Sequence, residues 1–267
     1  MAHFPESTIS TRNNSTKHDR TIIFLHGRGG NGADFAAELS DEVSSAGMNL
    51  EQHFEASSYN VKWIFPTAPL RMSTFWKEEQ NEWFDIWSLS DTAARQELQV
   101  QGLQESIQHI RGIIDDEINT HGMAPSNIFL GGLSQGFATA FHVLLSQPYR
   151  LGGFFGLSGW CPFKQDLELM SGERISGLRQ FYAQHLDIAA TTTDRTLETP
   201  VFMAHCEDDG VVEFRHGEEA RDVARKLGLE TQWSKYEEGD HWINEPQGVD
   251  DIIEFVEAAM ESRKSRI

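Results

Sequence analysis

Hydrophobic and polar positions along this chain follow two rhythms. Thr21–Leu25, Val61–Phe65, Gly153–Ser158 and Pro200–His205 are short, nearly unbroken apolar runs, each stopped by Gly, Pro or polar residues. That pattern predicts strands buried on both faces. Between them the apolar residues return near every 3.6 positions, as in a helix with one buried stripe. Phe35, Ala36, Leu39 and Val43 predict a helix over about Gly32 to Ala46. Leu98, Leu103, Ile107, Ile110, Ile114 and Ile118 predict another over Gln96 to Thr120. Further helices are expected over Ser134–Ser146, Glu213–Leu227 and Gly248–Ser262, and a last alternating strand over Thr231–Tyr236. Strands taking turns with helices predict an α/β fold, a mostly parallel central sheet with helices on both faces. Residues 1–19 read as a polar N-terminal arm or a peripheral strand. Residues 20–267 read as one domain, in which the mixed polar stretch 162–199 breaks the rhythm and is expected to be a lid-like insertion.

One junction carries chemistry. The run Ile128-Phe129-Leu130 enters Gly131-Gly132-Leu133-Ser134-Gln135-Gly136, and a helical pattern begins at once. Gly132 to Gly136 fits G-x-S-x-G, a turn so sharp that its serine is thrust above the sheet edge in a strained conformation. Glycine two residues to either side leaves room for the crossing of strand and helix. The following helix N-terminus offers free N–H groups to developing negative charge. A decoy, Gly156-Leu157-Ser158-Gly159-Trp160, begins alike and fails at its last position.

A serine hydroxyl needs a base to take its proton, and the base needs an acid to fix its tautomer. Two later strands run into loops that supply both. The first loop holds Glu207, Asp208 and Asp209, and Asp209 is favoured because it comes last, before a Gly-Val-Val turn. The second holds Asp240 and His241, and of the eleven histidines none but His241 follows the last strand. The oxyanion of an acyl-transfer intermediate requires two backbone N–H donors. Gln135, the residue after the serine, is one candidate, and Arg28 in His26-Gly27-Arg28-Gly29-Gly30 is the other. His26 reads as a brace for that loop. A metal site built from His205, Cys206, Glu207 and Asp209 is disfavoured, because these residues are nearly consecutive and lack spaced ligand pairs. The glycine-rich loop matches neither full phosphate-binding motif.

These stations, with Phe65-Pro66-Thr67-Ala68-Pro69, Trp83-Phe84-Asp85-Ile86, Leu157-Ser158-Gly159-Trp160 and His205-Cys206-Glu207-Asp208-Asp209, span about residues 20–260. In that order they resemble the acyl-protein thioesterases and related carboxylesterases and lysophospholipases. The resemblance implies an α/β-hydrolase fold and hydrolysis of esters or thioesters with no cofactor and no metal. It implies Ser134, Asp209 and His241 as the triad and the main-chain N–H groups of Arg28 and Gln135 as the oxyanion hole. Trp83, Trp160 and Val211 match positions that line the acyl groove. Arg28 stands where the family's thioesterases usually carry an apolar residue, and its charge implies a more polar acyl partner. The same residues would also suit an acyltransferase, or a catalytically silent fold kept as a binding module.

Charge and cysteine content narrow the setting. With 22 Lys+Arg against 41 Asp+Glu the net charge is −19, which opposes nucleic acid and anionic membrane surfaces as partners. The two cysteines, Cys161 and Cys206, supply no disulfide framework. The polar N-terminal residues and the lack of any long apolar run predict neither a secretion signal nor membrane insertion. A cytoplasmic protein acting on an acyl ester or thioester is therefore expected, be it small molecule, lysophospholipid or lipidated protein. The aromatics of residues 75–87 are a candidate homodimer contact.

Overall fold

The computed structural model describes residues 2–11, 17–170 and 173–261. Six strands form a parallel sheet: β2 (Arg20–Leu25), β3 (Val61–Phe65), β6 (Ile128–Leu133), β7 (Gly153–Leu157), β8 (Val201–Cys206) and β9 (Thr231–Tyr236). A seventh, β1 (Thr8–Thr11), closes one edge antiparallel to β3, with Thr8 opposite Phe65. The spatial order is β1-β3-β2-β6-β7-β8-β9. Part of the polar N-terminal arm is thus an edge strand. Residues 12–16 of that arm, and the predicted helix end at Ser262, lie outside the described residues.

The strands are apolar throughout because both faces are covered. In β2, Ile23 and Leu25 enter one core while Ile22 and Phe24 enter the other. In β8, Val201 and Met203 separate from Phe202 and Ala204 in the same way. The first core lies under α3 (Gln99–Asn119), α4 (Gln135–Ser146) and α8 (Phe214–Lys226). The second lies under α1 (Gly32–Asp41), α2 (Leu50–Ala56) and α9 (Gln247–Glu261). Among the described residues no helix is long and apolar enough to cross a membrane.

Three features depart from expectation. The helix predicted to reach Ala46 stops at Asp41, where Glu42 turns extended. Asn49 then starts the unpredicted α2 through a capping box with Gln52, which satisfies two otherwise unpaired N–H groups. The stretch that reads as irregular contains a small hairpin, β4 (Leu70–Met72) against β5 (Glu79–Asn81). It exposes Leu70, Met72, Phe75 and Trp76, and its three-residue strands are too short to show an alternation.

The third departure concerns residues 162–199, which are not placed as a lid. They fold into α5 (Lys164–Glu168), α6 (Arg174–His185) and α7 (Asp194–Leu197), whose Leu167, Leu178, Phe181, Tyr182 and Leu197 join the first core. Polar bonds fasten the segment to the end of α4. Thr192, Thr193 and Thr196 donate hydroxyls to the carbonyls of Leu145, Pro148 and Gln147, and Thr191 N–H donates to Ser146 O. A helix leaves its last carbonyls without partners of its own, and here the insertion supplies them.

Candidate active site

Ser134 sits between the end of β6 and the first turn of α4, with φ 56° and ψ −121°. Such a conformation costs on the order of 1–3 kcal/mol in a residue with a Cβ, and it persists only where its surroundings enforce it. They do so here through two main-chain bonds, Ser134 N–H to Leu157 O at 2.9 Å and Ala138 N–H to Ser134 O at 3.1 Å. The flanking glycines are required by contact. A Cβ on Gly132 would lie 2.3 Å from the Gly136 carbonyl carbon, and one on Gly136 would lie 2.3 Å from Leu25 O. The decoy Ser158 is buried at the end of β7.

The two later loops bring their side chains to this serine. His241 Nε2 is 2.8 Å from Ser134 Oγ, and His241 Nδ1 is 2.7 Å from Asp209 Oδ2. The other carboxylate oxygen, Asp209 Oδ1, accepts the N–H groups of Val211 and Val212 at 2.8 and 2.9 Å. A second imidazole also reaches Oδ2, that of the buried His205, with Nε2 at 3.0 Å. Burial raises the energy of the charged carboxylate, but hydrogen bonds from His205 and His241 and the Val212 N–H outweigh it. They hold Asp209 well below the usual carboxylate range. The alternative acids are engaged elsewhere. Glu207 is exposed and pairs with Lys235, and Asp208 accepts the N–H groups of Gly239 and Asp240. In the sequence, His205 and Asp209 stand together only as members of a disfavoured metal site, with no sign that the imidazole meets the carboxylate.

The loop after β2 faces the serine closely: a Cβ on Gly27 would lie 3.4 Å from Ser134 Cβ. Its bracing histidine is as expected. His26 Nδ1 lies 2.6 Å from Gly27 O, and His26 Nε2 accepts the Ala68 N–H at 3.0 Å. With one nitrogen donating and the other accepting, the ring is neutral, and burial lowers its pKa to about 4. Residues 81–84 strap this loop to the start of α4. Gly29 N–H donates to Asn81 O, and Trp83 Nε1–H donates to His26 O. The Gln135 side chain takes the Trp83 N–H at 2.8 Å and gives its own amide to Phe84 O at 2.7 Å. One short segment therefore fixes both chain stretches that carry the candidate oxyanion donors, Arg28 and Gln135. The Arg28 guanidinium leans over the Trp76 ring, 5.7 Å from its centroid.

Ser134 and His241 open into a cleft of about 750 Å³ that Arg28, Leu89, Trp160, Val211 and Trp242 also line. Trp160 and Val211, two of the three residues expected on the acyl groove, line this cleft. Trp83, the third, does not: it is 0 % exposed and lies behind the His26 loop. Its indole serves the loop instead of a ligand. None of residues 162–199 that are described lines the cleft. Asp34, Glu38, Asp41 and Glu42 of the α1 region do line it, and the apolar stripe of that helix gave no sign of this.

Two buried histidines set an acid limit. His142 in α4 lies 2.9 Å from the Tyr182 hydroxyl and 3.0 Å from Pro162 O, and burial lowers its pKa to about 4, as for His26. In the unfolded chain such rings protonate near 6.5. Stability held by the neutral rings is therefore complete above about 6.5 and is lost progressively as pH falls toward 4. Glu82 works in the opposite direction. Burial, with Asp85 nearby, raises it to about 7, so it favours the fold increasingly as pH drops from 7 to 4.5. His142→Gln is accordingly expected to narrow the stability gap between pH 7 and pH 4.5 by about 2–3 kcal/mol, the worth of two pKa units. Urea unfolding at the two pH values checks this, and an unchanged gap would contradict it.

Comparison with known proteins bears on the family and the fold. The profile of the phospholipase/carboxylesterase family matches residues 7–172 and 170–260. Acyl-protein thioesterase 1 of Kluyveromyces lactis is 25 % identical over 260 residues, 96 % of this chain and 99 % of that protein. Acyl-protein thioesterase 1 of Yarrowia lipolytica is 29 % identical over 243 residues, 90 % of this chain and 92 % of its own. The crystal structure of Arabidopsis thaliana SOBER1 superposes with a TM-score of 0.68 at 24 % identity, covering 90 % of this chain and 99 % of that one. The fold is that of the α/β hydrolases, and the chain belongs to the phospholipase/carboxylesterase family.

Proposed function

We propose that this protein hydrolyses carboxylic esters or thioesters through an acyl-enzyme, with Ser134 as nucleophile, His241 as base and Asp209 as its orienting acid. The observation that carries the reading is His241 bridging Ser134 Oγ at 2.8 Å and Asp209 Oδ2 at 2.7 Å at the floor of an open cleft. Ser134 Oγ attacks the acyl carbon and passes its proton to His241 Nε2. The carbonyl oxygen, now an anion, rests on the N–H groups of Arg28 and Gln135. His241 then gives the proton to the departing alcohol or thiol, and a water attacks the acyl-enzyme by the same route in reverse. Asp209 keeps the Nδ1–H tautomer of His241 and offsets the positive charge it acquires. The acyl groove is formed by Leu89, Trp160 and Val211, of which Val211 is 48 % exposed and marks an open mouth. Cys161 and Cys206 are both free and buried, which suits a reducing compartment such as the cytoplasm.

The cleft volume lies in the range of ordinary ligand sites, and no described residue of 162–199 lines it. Turnover of p-nitrophenyl esters from acetate to palmitate is therefore expected to peak at chains of about eight carbons or more, as an apolar groove gains with each methylene it covers. A peak at acetate would contradict the open groove while leaving the hydrolase reading intact. Absence of turnover on every ester and on acyl thioesters would contradict both.

A further inference from the structure

We propose that His205, through a second imidazole hydrogen bond to Asp209 Oδ2, is a positioning residue that sets how strongly Asp209 holds His241. The proposal rests on the reading of Ser134, His241 and Asp209 given above.

His205 is fully enclosed near the end of β8. Its Nε2 lies 2.9 Å from Val212 O and 3.0 Å from Asp209 Oδ2. Both neighbours accept hydrogen bonds, so Nε2 is the nitrogen that carries hydrogen. The other nitrogen, Nδ1, is buried with no hydrogen-bond partner. It faces α8 at Gly217, where a Cβ would come within 2.3 Å of it. The fold therefore accommodates a ring that donates through Nε2 alone.

Two consequences follow for Asp209. First, His205 ties the carboxylate to the Val212 carbonyl, so the turn from 209 to 212 is closed by a side chain as well as by the Val211 and Val212 N–H bonds to Oδ1. Secondly, Oδ2 is shared. An oxygen that already accepts one imidazole N–H has less electron density for another, so the imidazolium form of His241 is stabilised less than by an unshared carboxylate. Removing the His205 donor should leave Asp209 less well placed and its pull on His241 stronger. The other charged groups about His241 stay as they are. These are Asp240 beside it, Asp208 bonded to the Asp240 N–H, Glu42 behind Trp242, and Arg28, Asp34 and Glu38 along the cleft.

The test is the pH profile of kcat/KM for an ester substrate in His205→Leu and His205→Gln, with Ser134→Ala alongside. His205→Leu is expected to lower kcat about 10- to 100-fold with little change in KM, and to move the acid limb upward by about half a unit or more. His205→Gln, which can place an amide donor near Nε2, is expected to retain most of the activity and the original limb. Should the leucine variant not fold, nitrogen-resolved NMR of the native protein serves. His205 is expected as the Nε2–H tautomer, and the Nδ1–H tautomer would overturn the proposal. An unmoved acid limb in His205→Leu, or a glutamine variant no better than leucine, would overturn it as well. Activity lost in Ser134→Ala but with an unmoved limb in His205→Leu sinks only the role of His205. Activity surviving Ser134→Ala sinks the triad, and the role of His205 with it.

Discussion

Ser134→Ala should lower ester turnover by about four orders of magnitude or more and leave the folded protein intact. The loss is large because no other group takes over: Ser134 Oγ is the atom His241 Nε2 reaches at 2.8 Å. The fold should tolerate the change because alanine, like serine, carries a Cβ. The strain of φ 56° is the same for both, and the bonds that enforce it are main-chain bonds to Leu157 and Ala138. Steady-state kinetics with a p-nitrophenyl ester, paired with a thermal melt, checks both halves. Activity within tenfold of the native enzyme would remove Ser134 from the mechanism.

Asp209→Asn is expected to cost about three to four orders of magnitude in kcat, for a reason legible in the bond pattern. Oδ1 takes the N–H groups of Val211 and Val212, so the carbonyl oxygen of an asparagine would stay there. Its NH2 would then replace Oδ2 and face two imidazole nitrogens that donate in the native protein, His241 Nδ1 and His205 Nε2. His241 can meet an NH2 only by becoming the Nε2–H tautomer, and then it cannot take the proton of Ser134. His205 Nε2–H at the same time keeps only the Val212 carbonyl and faces an NH2 donor where it had a carboxylate, so a stability loss of about 1–3 kcal/mol should accompany the kinetic one. Kinetics and a urea titration read the two effects. Near-native kcat in a folded variant would show that Asp209 does not set the tautomer of His241.

The fold was largely legible because parallel strands buried on both faces are written as solid apolar runs, and their helices as stripes. What escaped was written differently. The β4–β5 hairpin has strands of only three residues, too short for a period of two to stand out in the sequence. The helix α2 is short and defined by its Asn49 cap more than by an apolar stripe. The 162–199 segment reads as polar in part because its threonines serve the carbonyls at the end of α4, and its broken rhythm suggested a lid-like insertion. Of the candidate site, Ser134 and His241 could be found because each closes a strand at a recognisable turn. Asp209 needed its loop to be folded before Glu207 and Asp208 could be seen to point elsewhere. Trp83 carried the right residue type for a groove and proved to be a support, because a tryptophan's apolar ring says little about which side of a wall it occupies. His205 was visible only as a member of a disfavoured metal site, and the geometry alone shows it as a second imidazole on the same carboxylate oxygen.

The central claim is that the Asp209–His241 pair activates one serine, and covalent capture tests it most directly. A fluorophosphonate that reacts with activated serines should add once per chain, and peptide mass spectrometry should place the adduct on Ser134. The adduct should vanish in Ser134→Ala, and form far more slowly in a folded His241→Ala protein. A native protein that stays unlabelled, or takes the label on another residue, would contradict the account.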